Sequence, residues 1–360
     1  MDFKLALSKL LTAFREHSIR YALMGGHNLN PENTRVEKVD QDSLMDCIER
    51  IERMVDSEED EANYVVNITG GNKIMALGAF EVFTNIGQKV SIGYMALGKS
   101  DFVQVYPRRK PFKVIPIRER LNLRGYLACY GFTIHNEKHL ARNAQVSRKR
   151  VETSVWILSN YERLKGLLGF LYKNIGNKRN EARFHFSGEF NRAFSHEEKE
   201  LLERLAFSHG GSSVSKMMTK DEIGYVTGGW LEEYVFTVVD DLVAEKILDD
   251  GLIKVQLKSI YGSDSELDIA FVKENAFYHI ECKTLGEKSE QNIVRDEIYK
   301  KGAISTLLGK GNKRAMICTT QKEMKESLRN RAKDYDVEIL AIDEVRNIRE
   351  RLTARFQGIV

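Results

Sequence analysis

The sequence is 360 residues long, room for two or three domains, and its 42% apolar and 30% charged residues describe an ordinary soluble globular protein. A formal net charge of +3 is too small to mark the whole chain as a polyanion binder, so any such surface must come from local clusters. No uncharged apolar run reaches membrane-spanning length and no signal peptide is recognisable; the four cysteines (Cys47, Cys129, Cys282, Cys318) form no CxxC, which argues against a disulfide or zinc framework and fits a reducing cytoplasm.

Residues 1–120 alternate helix and strand. Phe3, Leu7, Leu10, Leu11 and Phe14 recur at helical spacing over residues 3–15, and "RYALMGG" (20–26) reads as a short strand. "SLMDCIERIERMV" is helical, "NYVVNIT" (63–69) is an apolar strand and "NKIMALGAFEVF" is helical again; "KVSIGYMAL" and "FVQVYP" follow as strands. This order predicts a parallel, doubly wound sheet.

Residues 121–225 form a more helical and basic connector. Between Ala141 and Arg183 ten cations (Arg142, Arg148, Lys149, Arg150, Arg163, Lys165, Lys173, Lys178, Arg179, Arg183) face three acids (Glu152, Glu162, Glu181), with Tyr161, Phe170, Tyr172 and Phe184 interleaved. Such a pattern suits a nucleic-acid surface, and equally a solvated helical segment with core aromatics.

Residues 226–360 read as helix, three strands, helix, strand, helix, strand. Within "SELDIAFVKENAFYHIECKTLG" (265–286), Leu267, Ile269 and Phe271 alternate with Glu266, Asp268 and Ala270; Phe277, His279, Glu281 and Lys283 then share one face. With Glu274 and Asn275 as a two-residue hairpin loop, Asp268 falls opposite Glu281, and Glu266 opposite Lys283. Opposed acids repel, so a divalent cation with oxygen ligands is a natural occupant between them. Solvated charges on an open edge would give the same pattern. Lys283, two residues along its strand, stands about 7 Å from Glu281 by strand rise.

The preceding helix contributes a third acid. At 100° per residue, Leu231, Val235, Val238, Val239 and Leu242 gather on one face. Glu232 lies at its edge, turned toward the sheet, and Glu233 is expected on the far side. An inward carboxylate needs a partner or a metal.

The run Gly228-x-x-x-Glu232, then "ELD" ending at Asp268, then "ECK" from Glu281 to Lys283, resembles the PD-(D/E)xK nuclease fold over about 226–345. That resemblance implies a restriction-endonuclease-like domain in which Glu232, Asp268 and Glu281 hold Mg²⁺ or Mn²⁺ and Lys283 stabilises charge or positions water. Upstream, "NITGGNKIMALGAF" (67–80) resembles the ligand motif of the CARF domain, the Rossmann-like sensor associated with CRISPR, and "LNLRGYLACYGF" (121–132) resembles the junction that follows it. Physically, a glycine turn opening a helix suits phosphate. The resemblance implies activator contacts from Thr69, Gly70, Gly71, Asn72 and Lys73; Asn72 stands where the family usually has Thr, and the opening helix stands where it has a strand.

A CARF sensor joined to a PD-(D/E)xK domain is similar to the ancillary nucleases of type III CRISPR systems. The similarity implies a cytoplasmic homodimer that binds cyclic tetra-adenylate and then cleaves RNA and/or DNA in antiviral defence. Two other readings fit the residues: an unregulated DNA nuclease of restriction or repair type, and a catalytically inert nucleic-acid-binding regulator.

Overall fold

The computed structural model describes residues 23–24, 36–37, 39–40, 42–56, 64–69, 73–86, 90–95, 101–108, 111–116, 120–130, 132–259, 264–284, 294–300, 308 and 314–357. The chain divides into two compact units, Met1–Cys129 and Tyr130–Val360. Among the described residues, no helix is long and apolar enough to cross a membrane.

In the first unit, β1 (Leu23–Met24) pairs in parallel with β2 (Val36–Glu37). After α1 (Leu44–Asp56), the strands β3 (Tyr64–Asn67), β4 (Val90–Met95), β5 (Asp101–Tyr106) and β6 (Val114–Pro116) form a sheet in that order, with α2 (Lys73–Ile86) crossing between β3 and β4. The crossover makes β3 and β4 parallel, as a βαβ unit requires. The expectation of a wholly parallel sheet fails beyond that point, because β4–β5 and β5–β6 are antiparallel. Only residues 96–100 separate β4 from β5, too few for a helical crossover, so the chain folds back on itself. Ile51, Ala79, Val82, Phe83, Val90 and Ile92 form the core between the two helices and the sheet. The helix expected over 3–15 lies outside the described residues.

In the second unit, α3 (Leu123–Cys129) having closed the first, β7 (Phe132–Ile134) leads into α4 (Glu137–Ser159) and α5 (Tyr161–Ile175). A small antiparallel sheet of β8 (Arg183–Glu189), β10 (Ser213–Thr219) and β9 (Ser208–Gly210) follows, with α6 (His196–Arg204) between β8 and β9. Helix α7 (Lys220–Gly224) continues through a widened π turn, Tyr225–Gly229, into α8 (Trp230–Ala244).

The main sheet has six strands in the order β15 (Val337–Leu340), β14 (Ala315–Thr319), β13 (Ala276–Lys283), β12 (Asp264–Lys273), β11 (Asp250–Ser259) and β7. β13, β14 and β15 run parallel, and the remaining neighbours are antiparallel. Alternation divides its faces: Ile253, Ile269, Phe271, Ile280 and Cys282 join the core with α8, α11 (Ile342–Arg346) and α12 (Ile348–Gln357). On the other face, Ala315, Ile317, Val337 and Ile339 pack with Val294 and Ile298 of α9 (294–300) and with Leu328 and Ala332 of α10 (Glu326–Asp334). The basic segment is woven into this unit. β7 extends the main sheet beside β11, α4 packs on α8, and at least six of the ten cations pair with acids among the described residues. Much of its positive charge is therefore spent inside the unit.

Candidate functional site

The hairpin forms as its alternation predicts. Glu274 and Asn275 are the loop, both with left-handed φ (52° and 58°), and β12 and β13 pair from Lys273 with Ala276 to Ile269 with Ile280. These angles suit a type I′ turn, whose twist matches that of the strands. Ladder pairing ends there, one position short of the expected Asp268–Glu281 rung. There the Oδ2 of Asp268 accepts a hydrogen bond from the backbone N–H of Cys282 at 2.8 Å. With Ile280 and Cys282 committed to the core beneath α8, Glu281 and Lys283 fall on the opposite face.

The Lys283 ammonium donates to Glu281 Oε1 at 2.6 Å and lies 3.7 Å from Glu297 of α9, an acid the sequence reading did not single out. Glu297 is buried and also meets Lys300 at 3.1 Å. Burial alone would lower the Lys283 pKa, but Glu281, Asp268 and Glu297 outweigh it and raise it. Lys283 is thus a fixed cation. Burial pushes the Asp268 carboxyl well above the usual range, reinforced by the charges of Glu232 and Glu281. Glu232, in the first turn of α8, is raised by burial and by Glu281 and Glu266, against the opposing pull of Lys254. Helix and sheet therefore bring Glu232, Asp268, Glu281 and Lys283 within electrostatic reach of one another.

Gly228 sets where α8 begins. Its φ of 144° is a conformation that side chains avoid, and a Cβ there would stand 2.8 Å from Thr284 Oγ1. Arg179 clamps the same turn through Thr227, its Nε donating to Oγ1 at 2.8 Å and its Nη2 to the backbone carbonyl.

Glu233, expected on the far side of the helix, is covered there rather than open. α8 has two covered faces, with the sheet on one and α4 on the other, and Glu233 is only 2% exposed. Arg150 of α4 bonds its Oε1 at 3.2 Å and Lys254 of β11 lies 3.7 Å away. The same lysine is 3.9 Å from Glu232. Lys254 falls between the paired rungs Ile253–Ile269 and Val255–Leu267, at the level of Asp268, where the ladder itself is interrupted. Lys254 was missed because a basic residue in an exposed-parity strand position carries no signal. His279, which shares the face of Glu281, is buried and stacked on Phe277.

Among the described residues, no three His, Cys, Asp or Glu side chains are drawn together tightly enough to enclose an ion as they stand. The donor chemistry nonetheless suits a hard divalent cation: burial and the charge of Glu281 raise both Glu232 and Asp268, and a cation would balance that crowded negative charge.

In the first unit, Asn67 and Thr69 shape the end of β3. The Thr69 N–H and hydroxyl donate to Asn67 Oδ1 at 3.0 and 2.5 Å, and Thr69 Oγ1 accepts from the Met95 N–H at 2.7 Å, tying the turn to β4. Lys73 is exposed at the start of α2, whose first turn carries no acid. An anion is favoured at such a terminus. Gly70, Gly71 and Asn72 lie outside the described residues.

Comparison with known proteins accords with both halves. Residues 11–126 match the Card1 CARF domain and residues 219–359 the Card1-like endonuclease domain. No curated protein matches the chain. Among solved structures, protein VC1899 from Vibrio cholerae is similar at a TM-score of 0.74 and 20% identity, over 91% of this chain and 84% of that one. Can2 from Sulfobacillus thermosulfidooxidans, solved in complex with cyclic tetra-adenylate, is similar at a TM-score of 0.69 and 18% identity, over 91% and 85%. With a Card1 CARF domain followed by a Card1-like endonuclease domain on one chain, the protein belongs to the CARF-domain nucleases.

Proposed function

We propose that the chain is a metal-dependent endonuclease acting on RNA and/or DNA, switched on by cyclic tetra-adenylate in type III CRISPR antiviral defence. The observation that carries the hydrolytic part is the assembly of Glu232, Asp268, Glu281 and Lys283 from one helix and two adjacent strands. Glu232, Asp268 and Glu281 would hold Mg²⁺ or Mn²⁺, which supplies an acidified water and neutralises charge on the scissile phosphate. Lys283, whose pKa Glu281, Asp268 and Glu297 raise, would attract a phosphate oxygen or orient the attacking water. Asp268 is held by the Cys282 N–H, which leaves its second oxygen for the ion.

The sensor half rests on the turn after β3 and on the domain match. Thr69, Gly70, Gly71, Asn72 and Lys73 would meet the activator's phosphates. A ring with two-fold symmetry fits two copies of the chain, so binding would favour a closed homodimer and shift its population toward the cleaving state. Cleavage of a fluorescent single strand is measured with Mn²⁺, with and without cyclic tetra-adenylate. Cleavage only with activator is expected. Equal cleavage in both removes the sensing claim and leaves an unregulated nuclease; no cleavage in either, on RNA or DNA, removes the enzyme.

A further inference from the structure

Lys254 is built into β11 against the preference of its own backbone. Its φ is 53°, a left-handed conformation inside a strand, and the rung it would share with Asp268 is skipped between Ile253–Ile269 and Val255–Leu267. Asn136 holds it there. The Asn136 amide donates to the Lys254 carbonyl at 2.6 Å and accepts from the Gln256 N–H at 3.0 Å. Asn136 is the residue before α4, where an asparagine ordinarily bonds the N–H groups of its own helix; it makes no such bond and gives both ends of its amide to β11.

That arrangement holds the ammonium between two acids. Nζ is 3.9 Å from Glu232 Oε2 and 3.7 Å from Glu233 Oε1, both longer than a committed charge-assisted bond of about 2.8 Å. Glu233 keeps room for it: Oε1 meets Arg150, while Oε2 is buried with no hydrogen-bond partner among the described residues. A buried carboxylate oxygen without a donor is rare enough to call for a reason.

We propose that Lys254 is a positioning residue with two stations, balancing Glu232 until a divalent cation engages that acid and then moving onto the unpartnered Oε2 of Glu233. The inference rests on the reading of Glu232 as a metal ligand. An arriving divalent ion repels a nearby ammonium, and a second carboxylate within reach takes the ammonium up. A lysine serving only as a structural salt bridge would have no use for an open acceptor.

Binding of Mn²⁺ to the full-length protein, measured by titration calorimetry below the melting transition, tests this. Lys254→Met removes a competing cation and is expected to tighten Mn²⁺ binding about fivefold; Glu233→Gln removes the second station and is expected to weaken it about fivefold. In the double variant the Glu233→Gln effect should vanish, leaving the Lys254→Met value. Asn136→Ala, which frees the Lys254 backbone, should shift binding in the same direction as Lys254→Met and provides the test if that variant does not fold. Shifts of equal sign for Lys254→Met and Glu233→Gln, additive effects, or no shift overturn the proposal while leaving the metal site standing. Absence of Mn²⁺ uptake by the unaltered protein overturns both.

Discussion

Asp268 accepts a hydrogen bond from the backbone N–H of Cys282 at the rung just past the last ladder pair of β12 and β13, Ile269 with Ile280. A side chain takes over where backbone pairing stops, so the carboxylate is fixed in place although burial and two neighbouring acids make it costly to ionise. Asp268→Asn keeps an oxygen for that bond and removes one of the crowded charges. Cleavage should fall by at least about 100-fold. In chelator the melting temperature should rise by about 2–4 °C, the scale of a 1 kcal/mol gain in a unit of this size. A lower melting temperature would mean that the charge is not the burden.

Lys283 serves two acids at once, Glu281 at 2.6 Å and Glu297 at 3.7 Å. Lys283→Met should abolish cleavage to within about 1% of the original rate. It should also cost about 2 kcal/mol of stability, because both acids lose a buried counter-charge. Lys283→Arg should recover most of the stability and little of the activity. Denaturant melts beside single-turnover cleavage separate the two effects.

Gly228→Ala meets two obstacles, a φ of 144° and a contact of 2.8 Å with Thr284 Oγ1. Its expected cost is about 1–3 kcal/mol, with loss of cleavage as the first turn of α8 shifts Glu232. Thr284→Ala in the same chain opens the space but leaves the dihedral, so rescue in thermal melts should be partial. Full rescue would show that crowding alone excluded the methyl.

Glu222 anchors the short helix that leads into this turn. Burial would raise its carboxyl, but Lys216 at 2.7 Å and the N–H and hydroxyl of Thr219 hold it below the ordinary value. A depressed carboxylate contributes stability above its unfolded pKa and loses it as pH falls through the folded one. Melting temperature should therefore drop less steeply in Glu222→Gln than in the unaltered protein as pH falls from about 5 to about 3. Identical slopes would remove Glu222 from the acid response.

The hairpin and its acids were legible in the sequence because alternation and a two-residue loop leave one register for residues 264–283, and a slip would turn Leu267, Ile269 and Phe271 to the wrong face. The burial of Glu233 was not legible because a helical wheel weighs one apolar face at a time; the second cover, α4, comes from 83 residues upstream through Arg150. Lys254 and Glu297 were invisible for a related reason. Each takes its role from a partner on another element, and the left-handed backbone of Lys254 depends on Asn136, 118 positions away. In the first unit, βαβ order foretold the parallel pair β3–β4, but strand count alone could not show that β5 turns back.

The three residues of β7 finish the open margin of the six-stranded sheet, and α4 brings the guanidinium that Glu233 leans on. The match to the endonuclease domain begins only at residue 219. A fragment cut there would bare β11 as a sticky ribbon and strand an acid in grease. The smallest piece able to stand by itself should start near Tyr130, so the hydrolytic half carries its own scaffolding from well ahead of its signature residues.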